Sequence, residues 1–129
     1  MPDPKLPRPT DAELEILKVL WRRGPSTVRE VFESFGDTKT TGYTTVLKLM
    51  QIMADKGLVV RDESARAHRY EAAHAEEDMQ RRLVGDLLQK AFDGSAKNLV
   101  LQALSSERAT GEELAEIRRM LDELERGER

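Results

Sequence analysis

Residues 40–57, TTGYTTVLKLMQIMADKG, leave little choice of local structure. A hydroxyl-rich lead passes into a face made by Val46, Leu49, Met50 and Met53 at helical spacing. Lys56 and Gly57 then supply a helix stop: a cation at the negative end of the dipole, followed by a residue free to turn left-handed. The stretch predicts a helix with an apolar back and a polar leading edge. What lies on either side decides how such a helix is used.

Ahead of it, TDAE at 10–13 is a capping box, in which a Thr hydroxyl and a Glu carboxylate satisfy free backbone N–H groups. The helix it opens carries Leu14, Leu17 and Trp21, widened by Ile16 and Leu20, and ends at Arg22, Arg23, Gly24 and Pro25. Ser26 and Thr27 start a second, short helix through another capping box, TVRE at 27–30. It carries Val28, Val31, Phe32 and Phe35 and stops at Gly36. A polar connection at 37–41 leads into the long stretch. Behind it come a short strand from Leu58 to Arg61, a polar turn with its tip near residues 63–66, and a second strand at 68–71. Two helices, a helix with a polar leading edge, then strand, turn and strand is the order of a winged helix-turn-helix.

From Ala75 the period becomes purely helical. Met79, Leu83, Val84, Leu87, Leu88, Ala91 and Phe92 form one stripe, stopped by Asp93 and Gly94. Ser95 caps a helix with Leu99, Val100, Ala103 and Leu104 inward. TGEE at 110–113 opens another, whose Leu114, Ile117, Leu121 and Leu124 make a short heptad seam. Three such helices cannot hide these stripes on one another, and a two-fold partner is the economical solution. Leu83, Leu87, Leu99, Val100, Leu104, Leu114, Ile117, Leu121 and Leu124 are the expected dimerisation residues. The fold class expected is mainly α with a small β-wing, divided into a flexible Pro-rich arm (1–9), a winged-helix DNA-binding domain (10–72) and a helical dimerisation domain (73–129).

Composition narrows the chemistry. The chain has no cysteine, which excludes disulfides, thiolate-bound metals and thiol nucleophiles. His68 and His74 lack an Asp, Glu or His partner at ligand spacing, so no metal is expected. No glycine-rich loop follows a strand, and Ser and Thr sit at caps and turns. An enzyme is not expected, and no cofactor is implied. No apolar run approaches the ~20 residues of a membrane span and no signal core opens the chain, so a cytoplasmic protein without membrane insertion is expected. The net charge of -3 is unevenly spread: 12 Lys and Arg against 11 Asp and Glu up to residue 71, and 9 against 13 beyond it. The acidity belongs to the C-terminal half.

Double-stranded DNA is the partner the leading edge fits. Thr41, Tyr43, Thr44, Thr45 and Lys48 fall at or near the N-terminal end of the helix. Threonine can meet a thymine methyl or a base-edge polar atom, and Tyr and Lys reach phosphates. Thr44 and Thr45 also suit helix-start chemistry, and Tyr43 also suits partial burial. In the wing, Arg66, His68 and Arg69 suit phosphates or the minor groove. Strand alternation would put Arg66 and His68 on one face and Arg69 on the other.

Taken together, AELEILKVLWRRGP at 12–25, TVREV at 27–31, YTTV at 43–46, DKGLV at 55–59, and Arg66 with Tyr70 resemble the penicillinase-repressor family, the BlaI/MecI/CopY type. The similarity spans residues 10–126. It implies an N-terminal winged helix, a helical dimerisation region, and a homodimer on a palindromic operator that represses genes such as β-lactamases. It also implies a membrane-bound sensor metalloprotease as a partner, with release by cleavage in the dimerisation region. By the same resemblance Tyr43, Thr44 and Thr45 lie on the recognition helix and Arg66 in the wing. Three departures stand out. Ile52 replaces an Arg common in relatives. Gln102 and Ala103 stand where the best-known resistance repressors have Asn-Phe. The absence of cysteine excludes the copper-responsive mechanism. Two other readings stay open: a winged helix used for protein–protein assembly without DNA, and a ligand-sensing regulator.

Overall fold

A computed structural model describes residues 6–36, 41–106 and 109–127. Its elements run α1 (Asp11–Arg23), β1 (Ser26–Thr27), α2 (Val28–Ser34), α3 (Tyr43–Lys56), β2 (Val59–Asp62), β3 (Arg69–Ala72), α4 (Glu76–Phe92), α5 (Ala96–Ser106) and α6 (Gly111–Glu125). The fold is mostly helical with one small antiparallel sheet of order β1-β3-β2. That is the expected winged helix. The chain forms two compact units, Met1–Asp86 and Leu87–Arg129.

Caps place the first helices. Thr10 and Glu13 close both halves of the capping box that opens α1, and Thr27 and Glu30 do the same for α2. The strand β1 escapes sequence reading because two residues carry no period. Ser26 and Thr27 pair with Tyr70 and Arg69 while Thr27 also caps α2. One residue therefore joins sheet to helix. Gly57 ends α3 with φ +85, a left-handed conformation strained for any residue with a Cβ. The Leu58 N–H then bonds the Met53 carbonyl at 2.9 Å, and the chain enters β2 directly.

The core of the first unit is built from Ile16, Leu17, Val19 and Leu20 of α1, Val28 and Val31 of α2, and Val46, Met50 and Met53 of α3. Leu58, Val59 and Tyr70 close it from the sheet side. Each such side chain contributes about 1.5–3 kcal/mol on burial. Two findings differ from the expected division. Leu6 is only 4% exposed and packs in this core, and Arg8 bonds Asp86 at 3.0 Å, so residues 6–9 are not a free arm. The first unit also runs past residue 72. Met79 is 1% exposed in the same core and Leu83 packs against it, so the start of α4 is part of the winged-helix core. The Trp21 indole N–H donates to the His74 carbonyl at 3.0 Å and fastens α1 to the approach to α4.

In the second unit α4 ends at Asp93 and Gly94, both left-handed, where the Gly94 N–H bonds the Leu88 carbonyl at 2.9 Å. Ser95 and Thr110 cap α5 and α6 by accepting from the N–H groups of Asn98 and Glu113. No described residue of α6 is buried.

Glu13 is the charged residue of the first core, at 2% exposure. Its carboxylate accepts the Thr10 N–H at 2.8 Å and the Lys56 ammonium at 2.7 Å. Burial pushes the Glu13 carboxyl up, but Lys56 and the Thr10 N–H and hydroxyl outweigh it and hold the pKa below the ordinary value. A carboxyl depressed by folding contributes stability above its unfolded pKa and loses that contribution as pH falls through the folded one. Lys56→Met is expected to lower unfolding free energy by about 1–3 kcal/mol at pH 7. The difference from wild type should be smaller at an acid pH, as pH falls through the depressed pKa of Glu13 and its carboxylate is protonated. Urea unfolding followed by circular dichroism at both pH values checks this; a pH-independent difference counts against the ion pair.

Candidate nucleic-acid interface

The helix α3 separates two roles by angle. At about 100° per residue, Val46, Met50 and Met53 fall on one side and are buried. Thr44, Lys48, Gln51, Ile52 and Asp55 lie on the opposite side and are exposed, with Thr45 exposed beside them. The second half of α3 is therefore not given over to packing alone, since Gln51 and Ile52 face outward. Gly42 is the N-cap, with no side-chain bond. Thr44 and Thr45 therefore sit inside the first turn and are not the cap, while Thr41 precedes the helix and is half-buried. Thr40 lies outside the described residues.

Tyr43 turns out to be half-buried. Its ring meets Phe32 edge-on, with centroids 5.7 Å apart and planes at 84°. The Arg29 guanidinium carbon sits 4.8 Å from the Tyr43 centroid, a cation–π contact. Nothing in the local sequence singles out Arg29. It becomes a candidate only because α2 and α3 cross.

The wing places its cations differently from a strand alternation. Arg66 and His68 lie in the exposed connection between β2 and β3, so neither shares a strand face. Ser64 turns this connection by donating its N–H to Asp62 at 2.9 Å. The Ser64 N–H and hydroxyl, helped by Arg69 and His68 and opposed by slight burial, hold the Asp62 carboxyl below its usual value. Arg69 is on β3, and its guanidinium is engaged by the Glu30 carboxylate at 3.6 Å and the Pro25 carbonyl at 3.5 Å. Glu30 also receives Arg23 at 3.5 Å and the Thr27 N–H at 2.8 Å. The Thr27 N–H, opposed by partial burial and joined by Arg69, the Thr27 hydroxyl and Arg23, keeps the Glu30 carboxyl low. Arg69 thus ties sheet to α2, whereas Lys48 and Arg66 have no carboxylate partner among the described residues.

An open groove of about 650 Å³ runs between α2, α3 and the wing. Arg29, Tyr43, Gln51, Arg61, Arg66 and His68 are among its lining residues. Among the described residues no His, Asp or Glu group is arranged to hold a metal, and no helix is long and apolar enough to cross a membrane.

In the second unit Leu87, Val100, Leu121 and Leu124 are 45–56% exposed on the single chain, while Leu99, Leu104, Leu114 and Ile117 are half-buried. Leu83, expected with them, is half-buried and packs against the core of the first unit. Leu101 and Met120 are also exposed and were not singled out. Met120 adjoins Leu121 of the α6 seam, and a strict heptad count passes over it.

The penicillinase repressor family model matches residues 9–123. The transcriptional regulator BlaI of Mycobacterium tuberculosis (strain ATCC 25618 / H37Rv) is 36% identical over 124 residues, which cover 95% of this chain and 89% of that one. The penicillinase repressor of Bacillus licheniformis is 27% identical over 119 residues, 92% and 93% of the two chains. Two solution structures match with 27% identity, each over 60% of this chain and 93% of the other. One is the DNA-binding domain of the repressor BlaI, with a TM-score of 0.50. The other is monomeric Bacillus licheniformis BlaI in complex with the blaP half-operator, with a TM-score of 0.51.

The outward residues should be dispensable for folding. Thr44→Ala, Lys48→Ala and Arg66→Ala are each expected to change stability by less than about 0.5 kcal/mol. Tyr43→Ala should lose more than about 1 kcal/mol with its aromatic contact. Thermal unfolding of the four variants separates the two classes.

Proposed function

The chain belongs to the penicillinase repressor family, a family of transcriptional repressors and not of enzymes, and on that premise we propose that it is a homodimeric repressor of a palindromic operator. The outward stripe of α3 carries the reading. Thr44, Thr45 and Lys48 are exposed and free of packing duty, on a helix whose back is fixed in the core. Arg66 and His68 stand exposed in the adjacent wing. A structural neighbour at 27% identity is bound to a half-operator as a monomer, which supports one winged helix per half-site.

Two such units must then be joined. The exposed Leu87, Val100, Leu101, Met120, Leu121 and Leu124 supply an apolar surface that a second copy would cover. Two recognition helices held about one helical turn apart would enter successive major grooves on one side of the duplex. Binding of the first half-site raises the effective concentration of the second, so affinity depends on the acidic half as much as on α3. Anything that cuts or loosens the second unit releases the operator. A membrane-bound sensor metalloprotease is the kind of partner that would do so, and Gln102 and Ala103 are exposed on α5, although cleavage there requires the helix to open.

The full chain should bind a duplex recovered from a random pool, with affinity falling steeply as salt rises. Lys48→Ala and Arg66→Ala should each lower the log–log salt slope by about 1. Leu121→Glu combined with Leu124→Glu should give a monomer in sedimentation velocity and weaken binding at least roughly tenfold through lost avidity. Binding that is flat in salt, or absent for every duplex, would favour a winged helix used for protein assembly. A monomeric variant with wild-type affinity would overturn the dimer mechanism.

A further inference from the structure

Resting on the DNA-binding reading above, we propose that the groove between α2, α3 and the wing seats one sugar–phosphate strand of the duplex, anchored by Arg29 and positioned through Tyr43. A duplex met by α3 in its major groove and by the wing in the next minor groove presents the intervening backbone to whatever lies between them. Here that is the groove lined by Arg29, Gln51, Arg61 and Arg66.

The lining cations are not equivalent. The Arg61 guanidinium is held by the Glu63 carboxylate at 3.1 Å. The Glu30 carboxylate on the same lining is taken by Arg23 and Arg69. Arg29 is held by an aromatic face at 4.8 Å, and Tyr43 is itself braced by Phe32. A π face orients a guanidinium without neutralising it, so Arg29 keeps its full charge and its planar donor fork. That fork suits phosphate oxygens, which accept two parallel N–H bonds. Glu33, four residues along α2 and also on the lining, repels phosphate and leaves the Arg29 end as the place to anchor the strand. Tyr43 is then a positioning residue, and its hydroxyl is not needed on the DNA.

The test is a salt titration of the full chain on its selected duplex. Arg29→Ala should lower the salt slope by about 0.9 and the affinity roughly tenfold near 0.1 M salt. Arg29→Lys should keep the slope and recover only part of the affinity, because a point charge replaces a fork. Tyr43→Phe should bind within twofold of wild type. Tyr43→Leu should lose about as much as Arg29→Ala, and the double variant should lose no more than the worse single one. Circular dichroism establishes that each variant folds, and should Tyr43→Leu not fold, Arg29→Ala and Tyr43→Phe decide. An unchanged slope for Arg29→Ala overturns the anchor. A Tyr43→Phe loss as large as that of Arg29→Ala assigns the contact to the hydroxyl and overturns the positioning role. Wild-type failure on every duplex overturns the DNA-binding reading itself, and the wild-type titration tells that apart from failure of the groove.

Discussion

A carboxylate buried to 2% exposure tolerates few arrangements of the chain around it. Glu13 has to find its partners inside the fold, since an unsatisfied charge there costs several kcal/mol. It finds them at two places far apart in sequence: Thr10, which opens α1, and Lys56, in the last turn of α3. The first turn of one helix is thereby pinned to the last turn of another. The apolar contact between Ile16, Leu17 and Leu20 and Val46, Met50 and Met53 could slide by a turn and still be apolar, but the ion pair could not follow. Because Gly57 and Leu58 come immediately after Lys56, the start of the wing is located by the same bond. Register of α3 and position of the wing have one origin.

Much of this is legible in the amino-acid sequence alone. Period and caps locate α1, α2 and α3, because TDAE and TVRE name their own hydrogen bonds and Gly57 has a backbone angle that few residues share. What escaped depended on contacts that no window of sequence contains. Ser26 and Thr27 become a strand only when Tyr70 and Arg69 lie beside them. Leu6 looks like part of a proline-rich arm until the core that receives it is assembled. Met79 and Leu83 carry the period of a dimer helix but face a core built by residues 6–70. In the candidate site, the outward residues of α3 follow from periodicity. The engagement of Arg69 by Glu30 and the seating of Arg29 on Tyr43 do not, since each joins elements distant in sequence.

Charge makes the same point about partners. A chain with a net charge of -3 is an unpromising binder of a polyanion by its sum alone. What matters is which cations are already engaged. Arg23 and Arg69 serve Glu30, Arg61 serves Glu63, and Lys56 serves Glu13, so these are already paired within the chain. Lys48, Arg66 and Arg29 face outward without being neutralised. Under the function proposed above, contact with phosphate falls to cations of this kind, and to two copies of them in the proposed dimer.

The separation of faces on α3 bears on how such a protein can change over evolutionary time. Val46, Met50 and Met53 hold the helix in place from behind, and substitutions among them put folding at risk. Thr44, Lys48, Gln51 and Ile52 point away from everything that keeps the domain folded. They can diverge with little penalty in stability, and under the proposed function each exchange would alter which bases are favoured. Ile52 is exposed and apolar amid polar neighbours, and packing of the core does not call for it. A lineage built on this scaffold can change this outward face one residue at a time without ever passing through an unfolded ancestor.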